Sequence, residues 1–107
     1  LLRGDHERAR RLLEQAIALE PSYEIAHLAL SRLALARGDN ATAVRVLNDF
    51  LARHPDAPGA CQQLALILQR LGQTQVAKRI GRRAVDLLEA RALDREAAAM
   101  NELLAAF

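Results

Sequence analysis

The side chains able to do chemistry in this 107-residue chain are few and scattered. His6, His27, His54 and Cys61 are the candidate metal ligands and nucleophiles, yet they share no spacing that would close a metal site. Cys61 and His27 lie 34 residues apart, at equivalent places in a repeating pattern, which is where core side chains recur rather than where a nucleophile meets its base. The glycines follow helical stretches and form no phosphate-binding loop. Asp and Glu are spread along faces that read as solvent-exposed. No catalytic constellation emerges, so the expectation is a chain that is not an enzyme, with no metal and no cofactor. One charged grouping stands out. Lys78, Arg79, Arg82 and Arg83 fall at i, i+1, i+4 and i+5, on one helix face, and form a candidate surface for an anionic partner. Only Tyr23, Phe50 and Phe107 are aromatic, which leaves little for base stacking and disfavours nucleic acid.

Composition narrows the class further. Apolar types make up 51% of the chain, too many for a disordered tail. Ala and Leu dominate over β-branched residues, which favours helix. A single cysteine permits no intrachain disulfide, and no apolar run is long enough to span a membrane. There is no signal peptide, so cytoplasm and periplasm both stay open. The start at Leu1-Leu2-Arg3, without Met, fits an excised piece of a larger protein. Arginine far outnumbers lysine, as in a GC-rich bacterial genome, and the net charge of +2 is modest.

What must position these residues is a repeat. Gly4-Asp5, Gly38-Asp39 and Gly72-Gln73 recur every 34 residues, as do Ala9, Ala43 and Ala77; Arg11, Arg45 and Arg79; and Pro21 and Pro55. Each marker has a physical task. A glycine just past a helix takes the left-handed conformation that closes the last turn. Asp39-Asn40 and Asp56 offer caps to the helices that follow, and Pro55 stops the one before it. Small residues at 43 and 77 let paired helices approach closely. The spacing predicts helices over about 5–19, 23–37, 41–53, 58–71 and 74–92, and a sixth from Asp94, as its cap, to the end. No segment alternates with the period of a strand.

With this register the chain resembles the tetratricopeptide repeat family. The resemblance rests on Ala26 to Ser31, Ala34, Gly38-Asp39, Ala43, Leu47, Phe50 and Pro55, and in the next unit on Leu64-Ala65, Leu68, Gly72, Ala77, Ala84 and Val85. It implies an all-α solenoid of antiparallel helix pairs wound into a right-handed superhelix. The expected division of the single domain 1–107 is a half repeat at 1–22, full repeats at 23–56 and 57–91, and a capping helix at 92–107. Departures are visible. His27 and Cys61 stand where the family often has Trp, and Ala34 and Leu68 where it has Tyr. Gly81 replaces the large residue matched by Leu13 and Leu47, leaving a notch for Met100 or Phe107 of the last helix. Glu89 replaces the proline, so the fifth helix is expected to run a turn longer.

The resemblance implies a concave groove lined by the first helix of each pair. Its positions here are Ile25, Leu28, Arg32 and Leu35, then Gln62, Leu66, Gln69 and Arg70. The residues alone agree in part, because helix 23–37 carries a second apolar stripe (Ile25, Leu28, Leu35) besides the one that serves the core (His27, Leu30, Ala34). Leu28 and Gln62 occupy the places of the family's carboxylate-gripping cations, so a partly apolar ligand steered by arginine is expected. The functional expectation is a scaffold or adaptor module that binds a peptide or helix of a partner protein, with no membrane insertion. Two alternatives remain: a basic convex surface for nucleic acid or an anionic polymer, and a non-catalytic regulatory fragment of a larger enzyme. The first helix lacks its partner in this sequence, so its apolar side (Leu12, Leu13, Ile17) is expected either to support a homodimer through the N-terminal half repeat or to be covered by a preceding helix of the larger protein.

Overall fold

The computed structural model describes residues 3–107; Leu1 and Leu2, at the head of the expected half repeat, lie outside the described residues. Six α-helices follow one another: α1 (Arg3–Leu19), α2 (Glu24–Ala36), α3 (Asn40–Arg53), α4 (Pro58–Arg70), α5 (Thr74–Ala90) and α6 (Asp94–Ala105). Among the described residues there is no strand. The helices form two compact units, residues 1–54 and residues 55–107. In the first, α2 packs on α1 and α3; in the second, α5 packs on α4 and α6. Within each unit, connections of three to four residues make successive helices antiparallel neighbours.

Three of these connections share one geometry. Gly38 and Gly72 have φ of 78° and 81°, and Ala92 has φ of 58°. At each, the next residue's amide reaches back to the helix: Asp39 N to Ala34 O, Gln73 N to Leu68 O and Leu93 N to Leu88 O, all at 2.9 Å. The residue at positive φ bonds its own amide to Leu35, Gln69 or Glu89 respectively. These paired bonds satisfy carbonyls that a helix end leaves open. Glycine accepts the left-handed conformation freely, whereas the Cβ of Ala92 clashes with the neighbouring carbonyl. Ala92→Gly is therefore expected to stabilise residues 55–107 by about 1 kcal/mol, and Gly38→Ala to destabilise residues 1–54 by a similar amount. Thermal melts of the two variants should move in opposite directions; a fall for Ala92→Gly would contradict the strain.

Helix starts differ from the expected caps. Asp39 does cap α3: its Oδ1 accepts from Thr42 N at 3.1 Å and its Oδ2 from the Thr42 hydroxyl at 2.6 Å. These bonds hold the Asp39 carboxyl below its ordinary range. Asp56 does not cap α4; that helix starts from Ala57 with Pro58 in its first turn, and Asp56 pairs with Arg83 instead. Asp94 is the first residue of α6, and Leu93 holds the cap position without a side-chain bond. α1 begins at Arg3, two residues before the expected start.

Small residues set the helix spacing. Ala43 in α3 and Ala77 and Ala84 in α5 are fully buried. Ser31 of α2 is buried with them, and its hydroxyl donates to the Ala43 carbonyl at 3.1 Å, so the two helices touch almost backbone to backbone. Leu47 and Phe50 complete the interior of residues 1–54. In residues 55–107 the buried interior comprises Leu64, Ile67 and Leu68 of α4, Val85 and Leu88 of α5 and Met100 of α6. α5 runs 17 residues against 14 for α3, with no proline to stop it at Glu89. The notch at Gly81 is real: Met100 reaches it as expected, and Leu104 of the same helix supplies the nearest atoms. A Cβ built on Gly81 would overlap Leu104 Cδ2 and lie 3.3 Å from Met100 Cε.

Candidate functional site

α2 holds four of the expected binding residues on one stripe, at i, i+3, i+7 and i+10: Ile25, Leu28, Arg32 and Leu35. Helical spacing brings them to a common face, while Ala26, Ser31 and Ala34 turn into the interior. Ile25 is 63% exposed, Leu28 and Leu35 are half-buried, and Arg32 is exposed. An apolar strip of this kind, with a cation among its members, can grip an apolar side chain and an anionic group together. Tyr23, just before α2, is also partly exposed.

α4 carries the other four. Gln62, Leu66 and Gln69 stand at i, i+4 and i+7, with Arg70 beside them. Leu66 is 39% exposed while Leu64, Ile67 and Leu68 are buried, so this face mixes one apolar side chain with two half-buried amides. The Oε1 of Gln69 is buried and has no hydrogen-bond partner. A buried acceptor in that state costs free energy until a donor reaches it.

The basic grouping on α5 is not uniform. Arg79 and Arg82 are exposed, Lys78 is half-buried, and none of the three forms an ion pair among the described residues. Arg83 is already engaged: its Nε and Nη2 donate to the Pro55 carbonyl at 3.2 and 3.1 Å, and Nη2 meets Asp56 at 3.1 Å. With Arg91 donating to the Asp56 carbonyl at 2.7 Å, it braces the segment that leads into α4.

The apolar side of α1 divides in two. Leu12 is 59% exposed, whereas Leu13 and Ile17 are half-buried. Ile17 faces a feature that the repeat pattern does not announce: an open cleft of about 590 Å³ within residues 1–54. α1 supplies one wall through Arg10, Glu14 and Ile17, and α3 the other through Thr42, Val46 and Arg53. Across its floor His27 stacks on Phe50 with ring centroids 4.5 Å apart, and Phe50 on His54 at 4.8 Å. His27 Nε2 lies 2.9 Å from the Pro21 carbonyl; since a carbonyl only accepts, that nitrogen carries the proton. The α1 wall is tied in place by Glu7, which binds Arg10 at 2.8 Å and Arg37, just past the end of α2, at 2.6 Å. Hydrogen bonds from Arg10 and then Arg37 pull the Glu7 carboxyl down to about 2.

Among the described residues, no group of three or more His, Cys, Asp and Glu side chains is placed to hold a metal ion. Cys61 is buried in α4, in keeping with its repeat position. No helix among the described residues is long and apolar enough to cross a membrane.

The chain is similar to known proteins. Residues 1–64 match the tetratricopeptide repeat family. A cellulose synthase operon protein C of Xanthomonas axonopodis pv. citri (strain 306) is 41% identical over 75 residues, which cover 70% of this chain and 5% of that protein. The chain thus spans a small fraction of that relative's length. Among solved structures, the type III secretion translocator chaperone SycD of Yersinia enterocolitica superposes with a TM-score of 0.70 at 19% identity, over 94% of this chain and 72% of that one. SycD in complex with a peptide of the translocator YopD gives a TM-score of 0.71 at 19% identity, over 94% and 80%. At that identity the likeness speaks for the fold. The glycines at positive φ 34 residues apart, the close helix pairs built on Ser31 and Ala43, and the match over residues 1–64 have one common reading: the chain belongs to the tetratricopeptide repeat family.

Proposed function

We propose that this chain is a protein-interaction module without catalytic chemistry of its own, and that it holds a peptide or helix of a partner protein against the outer faces of α2 and α4. The observation that carries this reading is the stripe on α2, where Ile25 stands 63% exposed beside half-buried Leu28 and Leu35. Helices of one antiparallel pair bury one stripe each, so a second apolar stripe calls for another partner. Arg32 is a cation that an anionic group of that partner can meet, and the buried Oε1 of Gln69 on α4 supplies an acceptor for a donor group. The related structure of SycD with a YopD peptide is in keeping with peptide binding by this fold. In this reading the chain divides into a half repeat (1–22), two repeats (23–56 and 57–91) and a capping helix (92–107), and serves as one part of a longer bacterial scaffold or adaptor protein.

The test is capture of partners from the native lysate, comparing the unaltered chain with Ile25→Glu and with Leu28→Glu/Leu35→Glu. A buried side-chain contact is worth about 1.5–3 kcal/mol, so either variant should weaken capture at least tenfold. Circular dichroism must show both variants folded; the Ile25→Glu change falls at an exposed site and leaves the interior alone. If Arg79→Glu/Arg82→Glu abolishes capture while the α2 variants retain it, the binding face is the basic side of α5 and the reading fails.

A further inference from the structure

The cleft in residues 1–54 has the form of a docking trough, and the chain carries a helix that matches it. Its walls are α1 and α3, continuous helices whose backbone groups are bonded within the helix. An extended segment laid there would bury unpaired amides, whereas a helix arrives with its own hydrogen bonds made. The floor offers Ile17, Leu30, Val46 and Phe50 to an apolar side chain.

The rim adds a charge code. Arg45, Asp49 and Arg53 of α3 line the cleft at i, i+4 and i+8, all exposed, and none of the three forms an ion pair among the described residues. On the opposite wall, Arg10 is already occupied by Glu7 and Glu14. The α3 wall thus offers a ligand plus, minus, plus over two helical turns, roughly 12 Å at 1.5 Å per residue, with the exposed Asp39 carboxylate, held by Thr42, on the same cleft near Arg45.

α6 presents the complement outward. Asp94, Ala98 and Glu102 stand at the same i, i+4, i+8 spacing and are all exposed. Two carboxylates are thus two turns apart, with a small neutral residue between them where Asp49 would face. Beside them Ala99, Leu103 and Ala106 make an exposed strip, with Leu103 46% exposed, while Ala97 and Met100 are buried on the side that meets α5. Alanines permit close approach of a second helix pair, and Leu103 is the apolar knob for the floor.

We propose that the cleft between α1 and α3 receives α6 of a second copy of this chain, its two carboxylates set against Arg45 and Arg53. This goes beyond the α2 and α4 faces, which the contact leaves open. Trough and helix are different surfaces, so the contact is heterologous and builds either a closed ring, a reciprocal pair included, or an open chain.

Sedimentation equilibrium of the 107-residue chain tests this. The average mass should rise with concentration above that of a single chain, and fall when salt is raised from about 0.05 to about 0.5 M. Arg45→Glu/Arg53→Glu and Asp94→Arg/Glu102→Arg should each weaken association by about thirtyfold, because two attractions become repulsions. Mixing the two charge-reversed variants should restore it, since the acidic trough of one then meets the basic helix of the other. Helical circular dichroism and unchanged melting confirm that both variants fold. A chain monomeric at every concentration, an association indifferent to both reversals, or a dimer lost only with Leu12→Glu on the outer side of α1 would overturn the proposal.

Discussion

Gly81→Leu should lower the stability of residues 55–107 by about 2–3 kcal/mol, although it replaces the least helix-favouring residue short of proline in the middle of a helix. Propensity alone predicts the reverse sign, a gain of about 1 kcal/mol. Packing wins because the space beyond Gly81 is taken. Leu104 and Met100 of α6 come up to the α5 backbone there, and Gly81 itself is buried. A leucine must expel at least one of them, and with it the seat of α6. Gly81→Ala separates the two effects. Its Cβ meets chiefly the far end of Leu104, a half-buried side chain with room to swing, so the strain and the propensity gain should nearly cancel. Denaturant unfolding of the pair checks this. A melting temperature that rises with Gly81→Leu would mean that α6 does not sit against α5 as described.

Ala43→Leu should cost about 3 kcal/mol, at the upper end for an overpacked core, and lower the melting temperature by about 12 °C or more. Ala43 is 0% exposed, and its carbonyl receives the Ser31 hydroxyl from the facing helix at 3.1 Å. Three extra side-chain carbons at this point push α3 away from α2 and break that hydrogen bond, leaving a buried hydroxyl unpartnered at about 1–3 kcal/mol. Ala41→Leu, on the exposed side of the same helix, serves as control and should change stability by less than about 0.5 kcal/mol. If the two variants melt together, the helices do not approach as closely as the Ser31 bond requires.

The 34-residue spacing made the helix breaks at Gly38 and Gly72 legible, because glycine adopts their positive φ without strain and so marks the turn. The same turn at Ala92 was hidden: alanine is the best helix former, and nothing in its type signals a left-handed residue. Capping by Asp56 and Asp94 failed for a related reason. A short polar residue near a helix start has several competing uses, and Asp56 went to Arg83. Sequence spacing could likewise place Arg83 on the basic face of α5 but not reveal that the Pro55 carbonyl occupies it. For the α2 and α4 faces, periodicity named the residues, while their exposure depends on which neighbours arrive in three dimensions. That is why Ile25 stands open and Leu28, one turn away, is half covered. The cleft between α1 and α3 carries no local signature at all, since it is a gap left by two helices that both pack on a third.

Cys61 has a use apart from packing. It is the only cysteine in the chain and is 2% exposed within α4. A thiol reagent can reach it only when the packing around α4 opens, so the rate of its modification is a chemical clock for local breathing at that helix. Residues 1–54 contain no sulfur that could blur the reading.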